Sequence, residues 1–190
     1  MVFGFFRRRD PHRAAVDHLY RRVAAAARQP DLYESYGVPD TTQGRLEALE
    51  LHAILAMRRL RDLPPPADAI GQAFVDTVFE QVEHALREIG MGDTTVPKRM
   101  KLIARGFYGR ALTYGAALDA GDAVTLAAAL GRNVLNGDGP APQLARYAMA
   151  AEAHLAGLSL AQIAPQPDAA APELFPDARA LRLAAEGDLQ

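Results

Sequence analysis

The sequence predicts an all-α protein, a single-domain helical bundle of about six to seven helices with a flexible C-terminal tail. Apolar residues recur at spacings of three and four along most of the chain, as they do on one face of an α-helix. No pair of alternating apolar and polar runs is present to form a sheet. The 190 residues are 49% hydrophobic and 23% charged, which is ordinary for one globular core. We divide the chain into an N-terminal arm at 1–9, a helical domain at 10–164 and a tail at 165–190.

The first helix is predicted to begin after Asp10, because aspartate accepts hydrogen bonds from the free amides and Pro11 suits the first turn. It ends near Ala27, since Pro30 interrupts the helical pattern. One short helical turn follows, and Gly37 closes it as a left-handed cap.

The next two helices are long. One runs from the candidate caps at 40–42 to about Arg61, and the three prolines at 64–66 prevent it from continuing. The other carries apolar residues over 70–89 on a face wide enough to be buried on two sides. Gly90 is predicted to end it in the left-handed conformation.

The second half of the chain repeats this pattern. A helix begins near Pro97 and continues to about Leu118, and a shorter helix precedes the glycine-rich loop at 136–140. Pro142 opens what we predict to be the last helix. The tail from 165 is rich in proline, alanine and acidic residues, a composition typical of segments without a packed core.

Composition excludes several classes of protein. Without cysteine there are no disulfides, thiolate nucleophiles or cysteine-ligated metals. The net charge of −2 provides no overall attraction to nucleic acid, so we expect no DNA partner. No apolar run is as long as the roughly 20 residues that span a bilayer. We expect no secretory signal, because the phenylalanines at 3–6 precede the arginines at 7–9 and a signal needs the reverse order. We expect a cytoplasmic protein.

No catalytic, metal-binding or phosphate-binding motif is present. The chain lacks HExxH, GxSxG and GxxxxGK[ST]. Glu80 and His84 share a helical face and form either a solvated pair or a pair of metal ligands. We expect no catalysis, no cofactor and no metal site.

A basic stripe opens the helix at Pro97. Lys98, Lys101 and Arg105 are spaced i, i+3 and i+7 and therefore share one helical face, which Arg99 and Arg110 flank. The stripe is either a solvated surface or a docking surface for an anionic partner. Cations at a helix N-terminus oppose the helix dipole, which favours a second reason for their presence.

Glycines flank this stripe on both sides. Gly106 and Gly109 lie mid-helix, where close packing against another helix would explain them, and Tyr108 between them is predicted to be exposed. In the preceding hinge, Gly92 and Asp93 either serve the turn or contact a partner.

The N-terminal arm combines aromatic and basic residues, which are Phe3, Phe5, Phe6, Arg7, Arg8 and Arg9. Such a segment is either a frayed end or a weak contact to a membrane, in which the rings enter the interface and the arginines meet anionic head groups.

Two stretches of the sequence carry recognisable motifs. The first is LYESYGVPDTTQGRLEALELHAILAMRRL, and the second contains LREIGMGD, VPKRMK and FYGR. Both are similar to the signatures of the ubiquinol–cytochrome c chaperone family, and together they cover roughly residues 30–160. The resemblance implies a non-catalytic assembly chaperone that holds newly made cytochrome b, or an early bc1 (respiratory complex III) intermediate, at the inner face of the inner membrane. The excess of arginine over lysine and the abundant alanine suggest a bacterial member. In mitochondrial members a second small assembly factor and the ribosome are further partners.

The resemblance favours the docking interpretation of the basic stripe, because VPKRMK carries the strongest likeness. The predicted partner-binding residues are Lys98, Arg99, Lys101, Arg105, Tyr108, Arg110, Gly92 and Asp93. The alternatives are a haem- or lipid-handling protein, with His84 or His154 as haem ligands, and a peripheral membrane scaffold without a client.

Overall fold

The computed structural model describes residues 12–135, 137 and 139–187. Within these residues it contains helices and no strand, which confirms the all-α prediction. The helices are α1 (Arg13–Ala26), α2 (Pro30–Glu34), α3 (Thr42–Arg61), α4 (Ala67–Glu88), α5 (Val96–Asp119), α6 (Ala123–Asn133), α7 (Pro142–Ala156), α8 (Leu160–Ile163) and α9 (Ala178–Gly187). The predicted start at Asp10 and the arm at 1–9 lie outside the described residues. No helix in the described ranges is long and apolar enough to cross a membrane.

Caps set the bounds of several helices. The Thr41 hydroxyl accepts a hydrogen bond from the Gly44 amide at 3.1 Å, and Asp122 accepts from the Thr125 amide at 2.9 Å. Gly90 has φ +86°, a conformation that L side chains rarely adopt, and it ends α4 as the sequence predicts. The chain then reverses, so that α4 and α5 lie side by side.

Helix α3 is the centre of the bundle and contacts α1, α4, α5 and α7. The six consecutive residues 51–56 are all buried, so neighbours cover α3 on every side. A helix covered in this way must either be apolar all round or hold its polar side chains in internal pairs. Helix α3 follows the second course, because it carries buried Glu47, Glu50, His52 and Arg58.

Arg58 connects three helices. Its Nη2 atom donates to Asp119 of α5 at 2.7 Å, and its Nε atom donates to Glu152 of α7 at 3.0 Å. A Cβ atom at Gly115 would lie 2.7 Å from the Arg58 guanidinium, so glycine provides the space that this contact needs. The two carboxylates satisfy a cation that would otherwise be costly to bury.

His52 forms a second internal polar contact. Its Nδ1 atom lies 2.7 Å from the Ala48 carbonyl, and its Nε2 atom lies 2.7 Å from the Tyr147 hydroxyl. A carbonyl only accepts, so Nδ1 carries the proton and Tyr147 donates to Nε2. Complete burial lowers the pKa of His52 to about 4, and the imidazole is therefore neutral at physiological pH.

We expect His52 to make the fold sensitive to acid. Because folding lowers its pKa, the unfolded chain takes up this proton first as the pH falls from about 6.5 to about 4. The stability present above that range is then lost, by about 3 kcal/mol. Urea unfolding at pH 7 and pH 4.5 measures the loss. The loss of stability between the two pH values should be smaller in His52→Gln than in the wild type. It should equal the wild-type loss in His84→Gln, whose imidazole is exposed. An equal loss in all three proteins would contradict the assignment.

The C-terminal segment lies against the bundle. Leu174 and Phe175 are buried, and the Phe175 ring lies 4.8 Å from the His52 ring in an edge contact. Residues 164–177 contain no helix, as their composition predicts, but the sequence analysis did not predict α9 after them. Asp177 begins α9 by accepting from the Ala180 amide at 2.7 Å, and Arg182 pairs with Asp31 of α2 at 2.8 Å.

Candidate functional site

The buried residues of α5 show which side of this helix faces solvent. Phe107 is fully buried and contacts the Phe79 ring of α4 edge-on at 5.4 Å. Val96 and Ile103 join residues of α4 in a small apolar cluster of their own. These buried positions lie on one side of α5, as their spacing predicts, so the opposite side is presented to solvent.

Lys98, Lys101 and Arg105 lie together on that outer side and are exposed. None of the three forms an ion pair with a described residue. The nearby Arg87 behaves differently, because it contacts Glu83 at 2.8 Å and also Asp93. The stripe therefore keeps its positive charge available to other molecules.

The same side of α5 exposes large apolar side chains. Leu102 is 61% exposed, Tyr108 is 50% exposed and Leu112 is 77% exposed. Sequence analysis missed Leu102 and Leu112, although both fall outside the buried stripe. We use the term basic–apolar face for the six residues Lys98, Lys101, Leu102, Arg105, Tyr108 and Leu112. They cover about 120° of the helix circumference.

Arg110 differs from the other cations of α5. Its side chain is only 16% exposed and turns inward, where Nε lies 3.2 Å from Glu47 and 2.9 Å from Glu50. The two buried carboxylates share one guanidinium. Burial raises the pKa of Glu50 to about 7, and the neighbouring Arg110 partly opposes this rise. Arg110 is thus a structural ion-pair partner in this fold, and we leave it out of the basic–apolar face.

Arg99 lies beside the face and is exposed. Its Nη2 atom donates to the Gln43 side chain of α3 at 3.1 Å, so the Arg99 side chain is directed toward α3. Gly92 and Asp93 are exposed in the hinge before α5, and Asp93 pairs with Arg87. Their contact with a partner stays a prediction, as does that of Arg99.

The explanation proposed for Gly106 and Gly109 is wrong. A Cβ atom at Gly109 would meet nothing within 4 Å, and one at Gly106 would meet only the Arg110 guanidinium, at 3.2 Å. Neither glycine packs against another helix. Both line a shallow surface groove between α5 and the end of α6, which we call the α5–α6 groove and which Thr113, Arg132 and Asn133 also line.

Within the described ranges, His84 and His154 each contact another group of the protein. In the part of the chain that the structure describes, no group of three or more His, Asp or Glu side chains could hold a metal ion. His84, which the sequence pairs with Glu80, contacts Glu88 instead, at 3.2 Å between Nε2 and Oε1. The His154 Nε2 atom lies 2.9 Å from the Glu173 carbonyl.

Comparison with known proteins agrees with this architecture. The family model described as "Ubiquinol-cytochrome C chaperone" matches residues 34–167. The crystal structure of the Cbp3 homolog from Brucella abortus matches with a TM-score of 0.74 and 42% sequence identity, over 92% of this chain and 98% of that chain. No curated protein matches significantly. The matched region includes α3 to α7 and the whole basic–apolar face, and the chain belongs to the ubiquinol–cytochrome c chaperone family.

Proposed function

We propose that this protein is a non-catalytic assembly chaperone that binds newly made cytochrome b, or an early bc1 intermediate, at the inner membrane. Membership of the chaperone family supports a client protein as the partner. The observation that carries the proposal is the basic–apolar face, where Lys98, Lys101 and Arg105 have no counter-ion among the described residues and surround exposed apolar side chains.

A membrane protein outside its final complex presents two kinds of surface, apolar helices and charged loops. Leu102, Tyr108 and Leu112 can cover apolar surface, and each buried Å² contributes about 25 cal/mol. The three cations can pair with acidic loop residues, and such pairs speed encounter and select partners. A surface with both features suits a membrane-protein client better than a purely charged or purely apolar one.

The α5–α6 groove adds a second element to the proposed site. Gly106 and Gly109 each cost α5 about 1 kcal/mol relative to alanine. No contact with a described residue requires Gly109, and Gly106 leaves room only for the Arg110 guanidinium. Small residues allow another helix backbone to approach closely, as they do between transmembrane helices. We therefore place a helix of the client along this groove, with its charged end at the basic part of the face.

The proposal is tested by reversing the three cations. In a strain that lacks the gene, Lys98→Glu/Lys101→Glu/Arg105→Glu should fail to restore b-type haem absorbance and bc1 activity, whereas wild-type protein restores both. Exposed charges contribute little to stability, so the melting temperature should stay close to wild type.

The matched control is Arg21→Glu/Arg61→Glu/Arg179→Glu, which makes the same change in net charge at exposed arginines on other helices. It should restore assembly. Full restoration by the first triple variant would contradict a role for the face, and unchanged b-type haem in the deletion strain would contradict the cytochrome b client.

Further contacts extend this proposal. The arm residues Phe3, Phe5, Phe6 and Arg7–Arg9 lie outside the described residues, and we propose them as a weak membrane contact in which each arginine adds about 1 kcal/mol. A second small assembly factor and the ribosome are proposed partners by analogy with the family. Co-purification from cells with and without newly made cytochrome b separates these partners from the client.

A further inference from the structure

A cavity of about 260 Å³ lies on a different part of the bundle from the basic–apolar face. It is formed where α1, α2, α3 and α4 meet. Its walls are mainly apolar and include Ala24, Leu46, Leu49, Val82, Leu86 and Ile89. The last of these is 62% exposed at the mouth. The cavity is therefore open to solvent and presents an apolar interior to it.

Polar side chains line the same cavity on the side of α1 and α2. Arg28 forms no ion pair with a described residue, and its one polar contact is a long 3.4 Å approach to the Ala24 carbonyl. Tyr20 has no hydrogen bond to a described residue. Burial raises its pKa even though Arg28 opposes the rise, so the hydroxyl keeps its proton at neutral pH and can donate.

Two further polar side chains at the cavity, Tyr33 and Arg45, already have partners. Tyr33 donates to the Ala27 carbonyl at 2.6 Å, and Arg45 pairs with Asp40 at 2.6 Å while lying over the Tyr33 ring. Four lining side chains therefore have donors without an ion pair or a short hydrogen bond to a described residue, and they are Tyr20, Arg28, Thr42 and Gln81. Arg28 is the charged member of this group. A purely apolar ligand would leave these donors without a partner in the cavity.

We propose that this cavity binds the acyl chain of a single-chain anionic amphipath, a free fatty acid, with its carboxylate at Arg28 and Tyr20. The apolar walls take the chain, and the guanidinium takes the head group in a charge-assisted hydrogen bond. The volume suits one acyl chain and is small for a haem, and no histidine lines the cavity to ligate iron. This inference is independent of the proposed chaperone function.

Decanoate is the probe, measured by titration calorimetry with the full chain at physiological salt and below the critical micelle concentration. We expect one site, and binding about tenfold tighter than that of decanol, which has the same chain without the charge. Decyltrimethylammonium, with the opposite charge, should bind more weakly than decanol. Equal affinity for decanoate and decanol would overturn the assignment of the head-group site.

Variants locate the bound molecule. Arg28→Gln should weaken decanoate by about tenfold, whereas Arg21→Gln, at an exposed arginine of α1 that does not line the cavity, should leave it unchanged. Ala85→Phe places a ring at the exposed mouth and should abolish binding without disturbing the core. Unchanged affinity in Arg28→Gln or Ala85→Phe would overturn the proposal.

The triple Glu variant of α5 separates this site from the client surface. Decanoate binding should persist in it, because the cavity is lined by residues of other helices. Loss of binding in that variant would place the fatty acid on the basic–apolar face and would overturn the cavity site. This titration tests only fatty-acid binding, because the chaperone function is tested separately by b-type haem absorbance and bc1 activity.

Discussion

Arg110→Ala is expected to destabilise the protein by about 3–5 kcal/mol, although an arginine on a helix surface is usually replaceable. The change removes the one guanidinium that Glu47 and Glu50 share, and both carboxylates are buried. Urea unfolding at pH 8 measures the effect. Arg105→Ala, five residues earlier on the exposed side, is the matched control and should change stability by less than about 0.5 kcal/mol.

The loss should depend on pH in a defined direction. Folding raises the pKa of Glu50 above its unfolded value, so the folded protein holds this proton more tightly. The favourable contribution of the protonated form is complete below about pH 4.5 and is lost as the pH rises through about 7. Arg110→Ala should therefore be least harmful in mild acid. Glu47→Gln/Glu50→Gln in the same background should restore part of the stability at pH 8. Equal stability of Arg110→Ala and Arg105→Ala would show that the ion-pair cluster is not formed.

Phe107→Ala should destabilise the protein by about 3–5 kcal/mol, because it leaves a cavity where a fully buried ring contacts Phe79. Leu112→Ala is the matched control on the same helix, and its side chain is 77% exposed. It should change stability by less than about 0.5 kcal/mol and should still reduce client capture. Thermal melts and client pull-downs on both variants make the comparison. Similar destabilisation by both variants would mean that Phe107 and Leu112 are not on the buried and exposed sides of α5, respectively.

Most of the architecture follows from local patterns. The six long helices are predictable because apolar spacing, proline positions and capping residues all act within a few residues of each helix end. The shared face of Lys98, Lys101 and Arg105 is predictable for the same reason, since helical geometry alone places them together.

Features that depend on distant residues were not predictable. Arg105 and Arg110 are the same residue type, and only Glu47 and Glu50 on α3 distinguish the buried arginine from the exposed one. The role of Gly106 and Gly109 was wrongly predicted because the sequence of a glycine pair is the same whether another helix or solvent lies against it. Helix α9 was missed because its position depends on contacts of Arg182 and Tyr36 across the fold.

The position of Phe175 against His52 has a consequence for the order of synthesis. The rings that contact the imidazole come from Tyr147 of α7 and from Phe175, which lies more than one hundred residues after α3 in the sequence. A ribosome-bound chain that has not yet released residues 174–178 therefore leaves this part of its interior in water. A protein whose proposed work is to receive another newly made chain would thus complete its own interior only after residues 174–178 have left the ribosome.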